Sequence, residues 1–118
     1  MASHNNVGKY GEELGRQYLV ENDFTIMHTN WKHSWYEIDI IASKAGVLHF
    51  VEVKTRRNNQ FGLPEESVDG KKMEKLMNAA EEYLYLYPEW KRVQYDVLSI
   101  SFGTADKPEF FFNEDVYL

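Results

Sequence analysis

The sequence contains no cysteine and no long apolar run, and each absence excludes a class of protein. Without cysteine, the chain can form neither a disulfide nor a thiolate metal site, and it has no cysteine nucleophile. Its apolar stretches are too short for a membrane span, and no apolar segment typical of an export signal follows Met1. We therefore expect a cytoplasmic protein that does not enter a membrane.

Basic residues are also scarce, because 13 Lys and Arg stand against 19 Asp and Glu, for a net charge of −6. Tight non-specific binding of nucleic acid is usually accompanied by the opposite balance. The charge is uneven, however, since residues 54–75 hold six basic and four acidic groups while the segments on either side are acidic. An anionic partner is therefore expected to contact the middle of the chain.

The residues that are present suffice for one folded domain. The chain has 118 residues, of which 43% are hydrophobic and 15% aromatic, so wholesale disorder is not expected. No repeat, low-complexity tract or linker interrupts it. Residues 1–118 are therefore predicted to form a single domain with its own core.

Hydrophobic periodicity predicts two helices and four or five strands. Apolar residues recur at helical spacing over 6–22 and again over 69–87, where Pro88 ends the second helix. Strands are predicted from β-favouring or alternating residues at 24–29, 36–42, 47–55 and 93–102, with a short fifth candidate at 110–112. A polar loop is expected at 56–68, and a last helical turn after Asn113. The order αβββαβ predicts an α/β (α+β) sandwich around a mixed sheet, with a three-stranded antiparallel meander and a parallel fourth strand.

The second and third predicted strands carry acidic residues that point to chemistry. If the chain turns at 45–46, Asp39 lies directly opposite Glu52. Glu37 then lies opposite Lys54, on the same face. The apolar residues between them share the other face: Ile38, Ile40, Val51 and Val53. The hairpin therefore concentrates charge on one side of the sheet.

Two carboxylates held opposite each other repel, so they favour a cation between them. Oxygen ligands without neighbouring histidine or cysteine favour Mg²⁺ or Mn²⁺ over zinc. Lys54 lies two residues from Glu52, where it can orient a water or contact a phosphate. The alternative is that these are solvated surface charges, with Glu37 and Lys54 in a cross-strand ion pair. The residues alone leave both interpretations open.

These motifs resemble a known nuclease superfamily. Glu37-Ile-Asp39 followed by Glu52-Val-Lys54 is similar to the split acid, acid-x-Lys signature of the PD-(D/E)xK nucleases. Residues 8 to about 100 also resemble the uncharacterised bacterial family of YraN type, thought to be endonucleases related to archaeal Holliday-junction resolvases. The further matches are Gly8-x-x-Gly11-Glu12, Asn30-Trp31, Phe50-Val-Glu-Val-Lys-Thr-Arg56, Phe61-Gly-x-Pro64, Val68, Lys72, Ala80, Leu84 and Tyr95-Asp96-Val97. Two positions depart from that family, because Tyr36 stands where it usually has glycine and Gln94 where it often has arginine.

The resemblance implies a restriction-endonuclease-like three-layer sandwich and a catalytic site. Asp39 and Glu52 would bind Mg²⁺ or Mn²⁺, Lys54 would assist the attacking water, and Glu12 would support a metal or a water. The implied activity is a metal-dependent endonuclease that hydrolyses phosphodiester bonds in nucleic acid, with branched or damaged DNA favoured. The alternative is a catalytically weak nucleic-acid-binding module of the same fold in a DNA-processing complex.

Other residues support weaker predictions. On a helical wheel Glu12 adjoins the glycines of the first helix, which predicts a close approach of that helix to the sheet. Arg56, Arg57 and Lys72 are the candidate nucleic-acid contacts in the basic segment. The histidines share no metal spacing, and His49 is expected to pack on the apolar face. A homodimer is predicted from the aromatic residues near the end of the second helix: Tyr83, Tyr85, Tyr87 and Trp90.

Overall fold

The computed structural model describes residues 3–34, 36–57, 70–103 and 107–116. Within them lie two helices, α1 (Ser3–Glu21) and α2 (Gly70–Leu86), and five strands. The strands are β1 (Thr25–His33), β2 (Tyr36–Lys44), β3 (Val47–Arg57), β4 (Val93–Phe102) and β5 (Glu109–Asn113). All seven elements were predicted from the sequence, although α1 begins three residues earlier than predicted and β1 ends four residues later. Most of the predicted polar loop lies outside the described residues.

The strands form one sheet in the order β1-β2-β3-β4-β5. β1, β2 and β3 pair antiparallel, β3 and β4 pair parallel, and β5 pairs antiparallel with β4. The chain passes through α2 between the two parallel strands, as expected for a crossover. The predicted meander and parallel return are confirmed.

The two helices cover opposite faces of this sheet, and each face has its own core. On the α1 face the buried residues are Leu19, Phe24, Ile40, Ala42, Val51, Leu98 and Ile100. On the α2 face they are Ile38, Ile41, Leu48, Phe50, Leu76, Ala79, Ala80 and Tyr83. The protein is therefore a three-layer α/β/α sandwich around a mixed sheet, as predicted. Neither described helix is long and apolar enough to span a membrane.

A two-residue turn fixes the register of the β2–β3 hairpin. Ala45 and Gly46 both have positive φ, 52° and 80°, which matches the right-handed twist of the strands that they join. Lys44 pairs with Val47, and the pairs continue to Ile40 with Val51. This is the register that the sequence predicts. The residues that follow the last of these pairs are Asp39 on β2 and Glu52 on β3.

The predicted faces of β2 were wrong at one residue. Ile38 was expected to share the apolar face of Ile40, but it packs in the α2 core whereas Ile40 packs in the α1 core. Residues two apart in a regular strand point to the same side, so the alternation of β2 is interrupted between them. Asp39 lies at this interruption.

The C-terminal segment has no regular secondary structure over 114–116 and does not form the predicted helical turn. Its amides are used elsewhere, since Asp115 N donates to Oδ1 of Asp96 (2.9 Å) and Val116 N donates to the Tyr95 carbonyl (2.8 Å). Asp96 is buried and also pairs through Oδ2 with Nδ1 of His49 (2.6 Å). His49 is buried, as predicted, and Asp96 ties together β3, β4 and the C-terminal segment.

Most of the aromatic residues behind the homodimer prediction lie in the α2 core. Tyr83 is fully buried, and Tyr87 and Trp90 pack against the same cluster. Tyr85 is the exposed member of the set, with 81% of its surface accessible. These aromatics therefore serve the fold of one chain, and the homodimer stays a prediction.

Glycines let α1 approach the sheet closely, as the sequence predicts. Gly11 and Gly15 are both buried. A Cβ at Gly11 would overlap the methyl group of Thr55 on β3, and one at Gly15 would lie 3.3 Å from Cδ2 of Leu98 on β4. This close approach brings the middle of α1, including Glu12, toward the part of β3 that follows Glu52.

We expect Gly11→Ala to lower the free energy of unfolding. The helix gains about 1 kcal/mol from replacing glycine, but overpacking against Thr55 costs about 1–3 kcal/mol. Gly11→Ala combined with Thr55→Ser, which removes the methyl group, should recover the loss. Urea unfolding of the wild type and both variants measures this, and a Gly11→Ala protein more stable than the wild type would contradict close helix–sheet packing.

Candidate active site

The candidate site lies where β2 and β3 part. In the described parts of these strands, pairing stops at Ile40 with Val51. Beyond that pair, the Val53 amide donates to Oδ2 of Asp39 at 2.8 Å. A side-chain carboxylate thus accepts a main-chain amide of the neighbouring strand. This bond holds Asp39 beside β3, next to Glu52.

Glu52 accepts a hydrogen bond from Tyr36 and lies near the ammonium group of Lys54. The hydroxyl of Tyr36 donates to Oε1 of Glu52 at 2.9 Å, and Lys54 Nζ lies 3.9 Å from Oε2. The side chains of Lys54 and Glu52 are only 17% and 16% exposed. Charges held this far from water interact more strongly than surface pairs do.

A third carboxylate approaches from α1. Oε1 of Glu12 accepts a hydrogen bond from Nδ2 of Asn30 on β1, at 3.2 Å. The neighbouring Glu13 is exposed and pairs with Arg16 (2.6 Å). The sequence predicted that Glu12 lies beside the glycines of this helix, which face the sheet.

Burial and the neighbouring carboxylates raise the proton affinity of Asp39. Burial and the charge of Glu52 raise the pKa of Asp39 to about 8, and the charges of Glu12 and Glu37 add to this rise. The hydrogen bond from Val53 opposes it. Near neutral pH, a second negative charge beside Glu52 is therefore costly, and a bound cation would remove that cost.

The carboxylate oxygens of Asp39 and Glu52 suit Mg²⁺ or Mn²⁺ better than a metal that takes all of its ligands from the protein. No group of three or more His, Asp or Glu side chains is arranged to hold a metal in the described part of the chain. Mg²⁺, however, is commonly held by one or two carboxylates and completes its shell with water and substrate phosphate. Asp39 and Glu52 could hold such an ion, which would supply Lewis-acid activation at this point.

The structure brings Glu12, Asp39, Glu52 and Lys54 into one neighbourhood, but it places the predicted nucleic-acid contacts only in part. Arg56 follows Lys54 on β3 and is half-buried. The side chains of Arg57 and Lys72 lie outside the described residues.

Sequence reasoning missed two hydrogen-bond donors at the site. Tyr36 was noted only as a departure at the rim, and Asn30 only as part of a family motif, yet each donates to a candidate carboxylate. Asn30 also has a φ of 53°, a left-handed conformation that asparagine tolerates better than most residues. The available signal was an asparagine directly after the predicted strand 24–29, since asparagine accepts the left-handed backbone found there.

We expect the wild type in EDTA to lose stability as pH rises from about 4 to about 8. The folded pKa of Asp39 lies above its unfolded value, so the folded state binds the proton more tightly and stability falls until both states are ionised. Asp39→Asn keeps an oxygen for the Val53 amide but removes the charge. Its free energy of unfolding relative to the wild type should therefore increase by more than about 1 kcal/mol between pH 4 and pH 9.

The matched control is Asp23→Asn, because Asp23 is exposed. Denaturant unfolding across this pH range compares the three proteins. A constant difference between Asp39→Asn and the wild type would show that Asp39 is an ordinary solvated carboxylate.

Comparison with known proteins identifies the family. The profile of a family described as "Uncharacterised protein family UPF0102" matches residues 11–100. A UPF0102 protein of Bacteroides thetaiotaomicron is 41% identical over 100 residues, which cover 85% of this chain and 83% of that protein. A UPF0102 protein of Dictyoglomus thermophilum is 38% identical over 106 residues, covering 89% of this chain and 90% of that protein. The resemblance to the YraN-type family is confirmed, and the chain belongs to the UPF0102 family.

Proposed function

We propose that this protein is a Mg²⁺- or Mn²⁺-dependent endonuclease that hydrolyses phosphodiester bonds in nucleic acid, with DNA as the favoured substrate. The observation that carries the proposal is the pair Asp39 and Glu52, held side by side where two strands part, with Lys54 close to Glu52. The names of its relatives state no activity, so the proposal rests on this geometry and on the motif resemblance.

The arrangement has the components that metal-assisted phosphodiester hydrolysis requires. A divalent cation bound there would polarise the scissile phosphate and lower the pKa of a bound water. Asp39 and Glu52 supply the oxygen ligands. In the reaction, a water oxygen bonds to phosphorus, the bond to the leaving oxygen breaks, and that oxygen takes up a proton.

The surrounding side chains can stabilise negative charge on the phosphate and bind a water molecule. The ammonium group of Lys54 can stabilise the negative charge that develops on the phosphate oxygens, since it is held in a partly buried site. Glu12, oriented by Asn30, can accept a hydrogen bond from a water molecule. Neutralisation of the acidic cluster by bound cations also lets a polyanion approach a protein whose net charge is −6.

We expect the wild type to cleave at least one member of a panel of branched, single-stranded and duplex DNA and RNA with Mn²⁺ or Mg²⁺, and not with EDTA. Lys54→Ala should lower the cleavage rate by about 100-fold or more, as loss of one transition-state donor does, and should leave substrate affinity nearly unchanged. Lys91→Ala is the control, because Lys91 is exposed.

Cleavage assays and fluorescence-anisotropy binding on the same labelled substrates give both quantities. Absence of cleavage across the whole panel would refute the nuclease. Binding without cleavage would instead favour the nucleic-acid-binding module.

We also expect the basic segment to be the nucleic-acid surface. Replacing Arg56, Arg57 and Lys72 together by Glu should weaken binding and reduce the slope of log affinity against log salt, because each lost phosphate contact lowers that slope by about one. Replacing three exposed lysines elsewhere by Glu makes the same change in net charge and should have a smaller effect: Lys9, Lys91 and Lys107. Equal losses in both variants would place the contact surface elsewhere.

A further inference from the structure

Tyr36 occupies a position from which it can control how Glu52 binds a cation. It is the first residue of β2, and its ring packs against the α2 core. From there its hydroxyl donates to Oε1 of Glu52 at 2.9 Å. The ring is thus fixed by packing, and the hydroxyl fixes one oxygen of the carboxylate.

The other oxygen of Glu52 faces a different neighbour. Oε2 lies 3.9 Å from Lys54 Nζ, a separation longer than that of a hydrogen bond. Of the two oxygens, Oε1 is therefore engaged by a strong directional bond, and Oε2 is the one available to a cation.

The phenol of a tyrosine keeps its proton at neutral pH, because its ordinary pKa is about 10. The Tyr36 hydroxyl is therefore a hydrogen-bond donor to Glu52.

We propose that Tyr36 is a positioning residue that limits Glu52 to one ligand oxygen and so makes the candidate centre select Mn²⁺ and Mg²⁺ over Ca²⁺. The proposal rests on the proposed metal centre. Ca²⁺ takes six to eight oxygen ligands and often binds both oxygens of one carboxylate, whereas Mg²⁺ requires near-octahedral geometry. A carboxylate with one engaged oxygen suits the smaller ion and penalises the larger one.

Tyr36→Phe tests this role with little change in packing, because the aromatic ring stays and only the hydroxyl is lost. Without the hydroxyl, both oxygens of Glu52 become available, so the variant should bind Ca²⁺ more tightly. It should bind Mn²⁺ more weakly, because the carboxylate is no longer oriented. Loss of such an outer hydrogen bond typically changes metal affinity by about 10–100-fold.

The experiment is calorimetric titration of the nucleic-acid-free protein with Mn²⁺ alone and with Ca²⁺ alone. The measured quantity is the ratio of the Ca²⁺ to the Mn²⁺ dissociation constant. We expect this ratio to fall by about 10-fold or more in Tyr36→Phe. Tyr85→Phe is the matched control, because Tyr85 lies on α2 with 81% of its surface exposed, and its ratio should equal that of the wild type.

The outcomes separate the two proposals. A wild type that binds neither ion refutes the metal centre and, with it, the role of Tyr36. A wild type that binds Mn²⁺, together with an unchanged ratio in Tyr36→Phe, overturns the role of Tyr36 alone. Equal weakening of Mn²⁺ and Ca²⁺ binding in Tyr36→Phe also overturns the role of Tyr36, since a general loss of structure would cause that result. The unfolding midpoint of each variant in EDTA verifies that it is folded.

Discussion

The hydrogen bond from the Val53 amide to Oδ2 of Asp39 is the interaction on which the candidate site depends. It spans the point where β2 and β3 stop pairing, and it keeps a carboxylate in a partly buried position beside Glu52. Without it, Asp39 could turn toward water and the repulsion between the two acids would relax. With it, the protein retains an electrostatic cost that a cation could remove.

The rest of the fold places other groups around this pair. Small residues on α1 allow the helix to lie close to β3, which brings Glu12 near enough to raise the pKa of Asp39. On the other face, packing against α2 fixes the ring of Tyr36, and the hydroxyl reaches Glu52. The helix α1 thus contributes Glu12 directly, whereas the α2 core acts through Tyr36 of β2, whose ring it fixes.

Much of this arrangement could be predicted because its causes are local. The turn at Ala45 and Gly46 sets the hairpin register, and the register determines that Asp39 and Glu52 are neighbours. Glycines on one side of a helical wheel likewise predicted a close helix and the direction of Glu12. These features follow from the spacing of particular residues along the chain, which can be read directly from the sequence.

The features that could not be predicted depend on contacts between distant residues or on breaks in a regular pattern. The displaced Ile38 reflects an interruption in β2, and a period of two cannot indicate where it fails. The pairing of His49 with Asp96 joins residues 47 positions apart. Tyr36 and Glu52 lie 16 positions apart and meet beyond the last described pair of β2 and β3. Secondary-structure propensity and the pattern of polar residues do not predict such long-range contacts.

Thermal unfolding with and without Mn²⁺ tests the metal centre most directly. At pH 8, millimolar Mn²⁺ should raise the melting temperature of the wild type relative to EDTA, because an ion that binds only the folded state stabilises it by mass action. Asp39→Asn should melt above the wild type in EDTA and gain little from Mn²⁺. A wild-type melting temperature unchanged by Mn²⁺, or an equal gain in both proteins, would contradict a metal centre at Asp39 and Glu52.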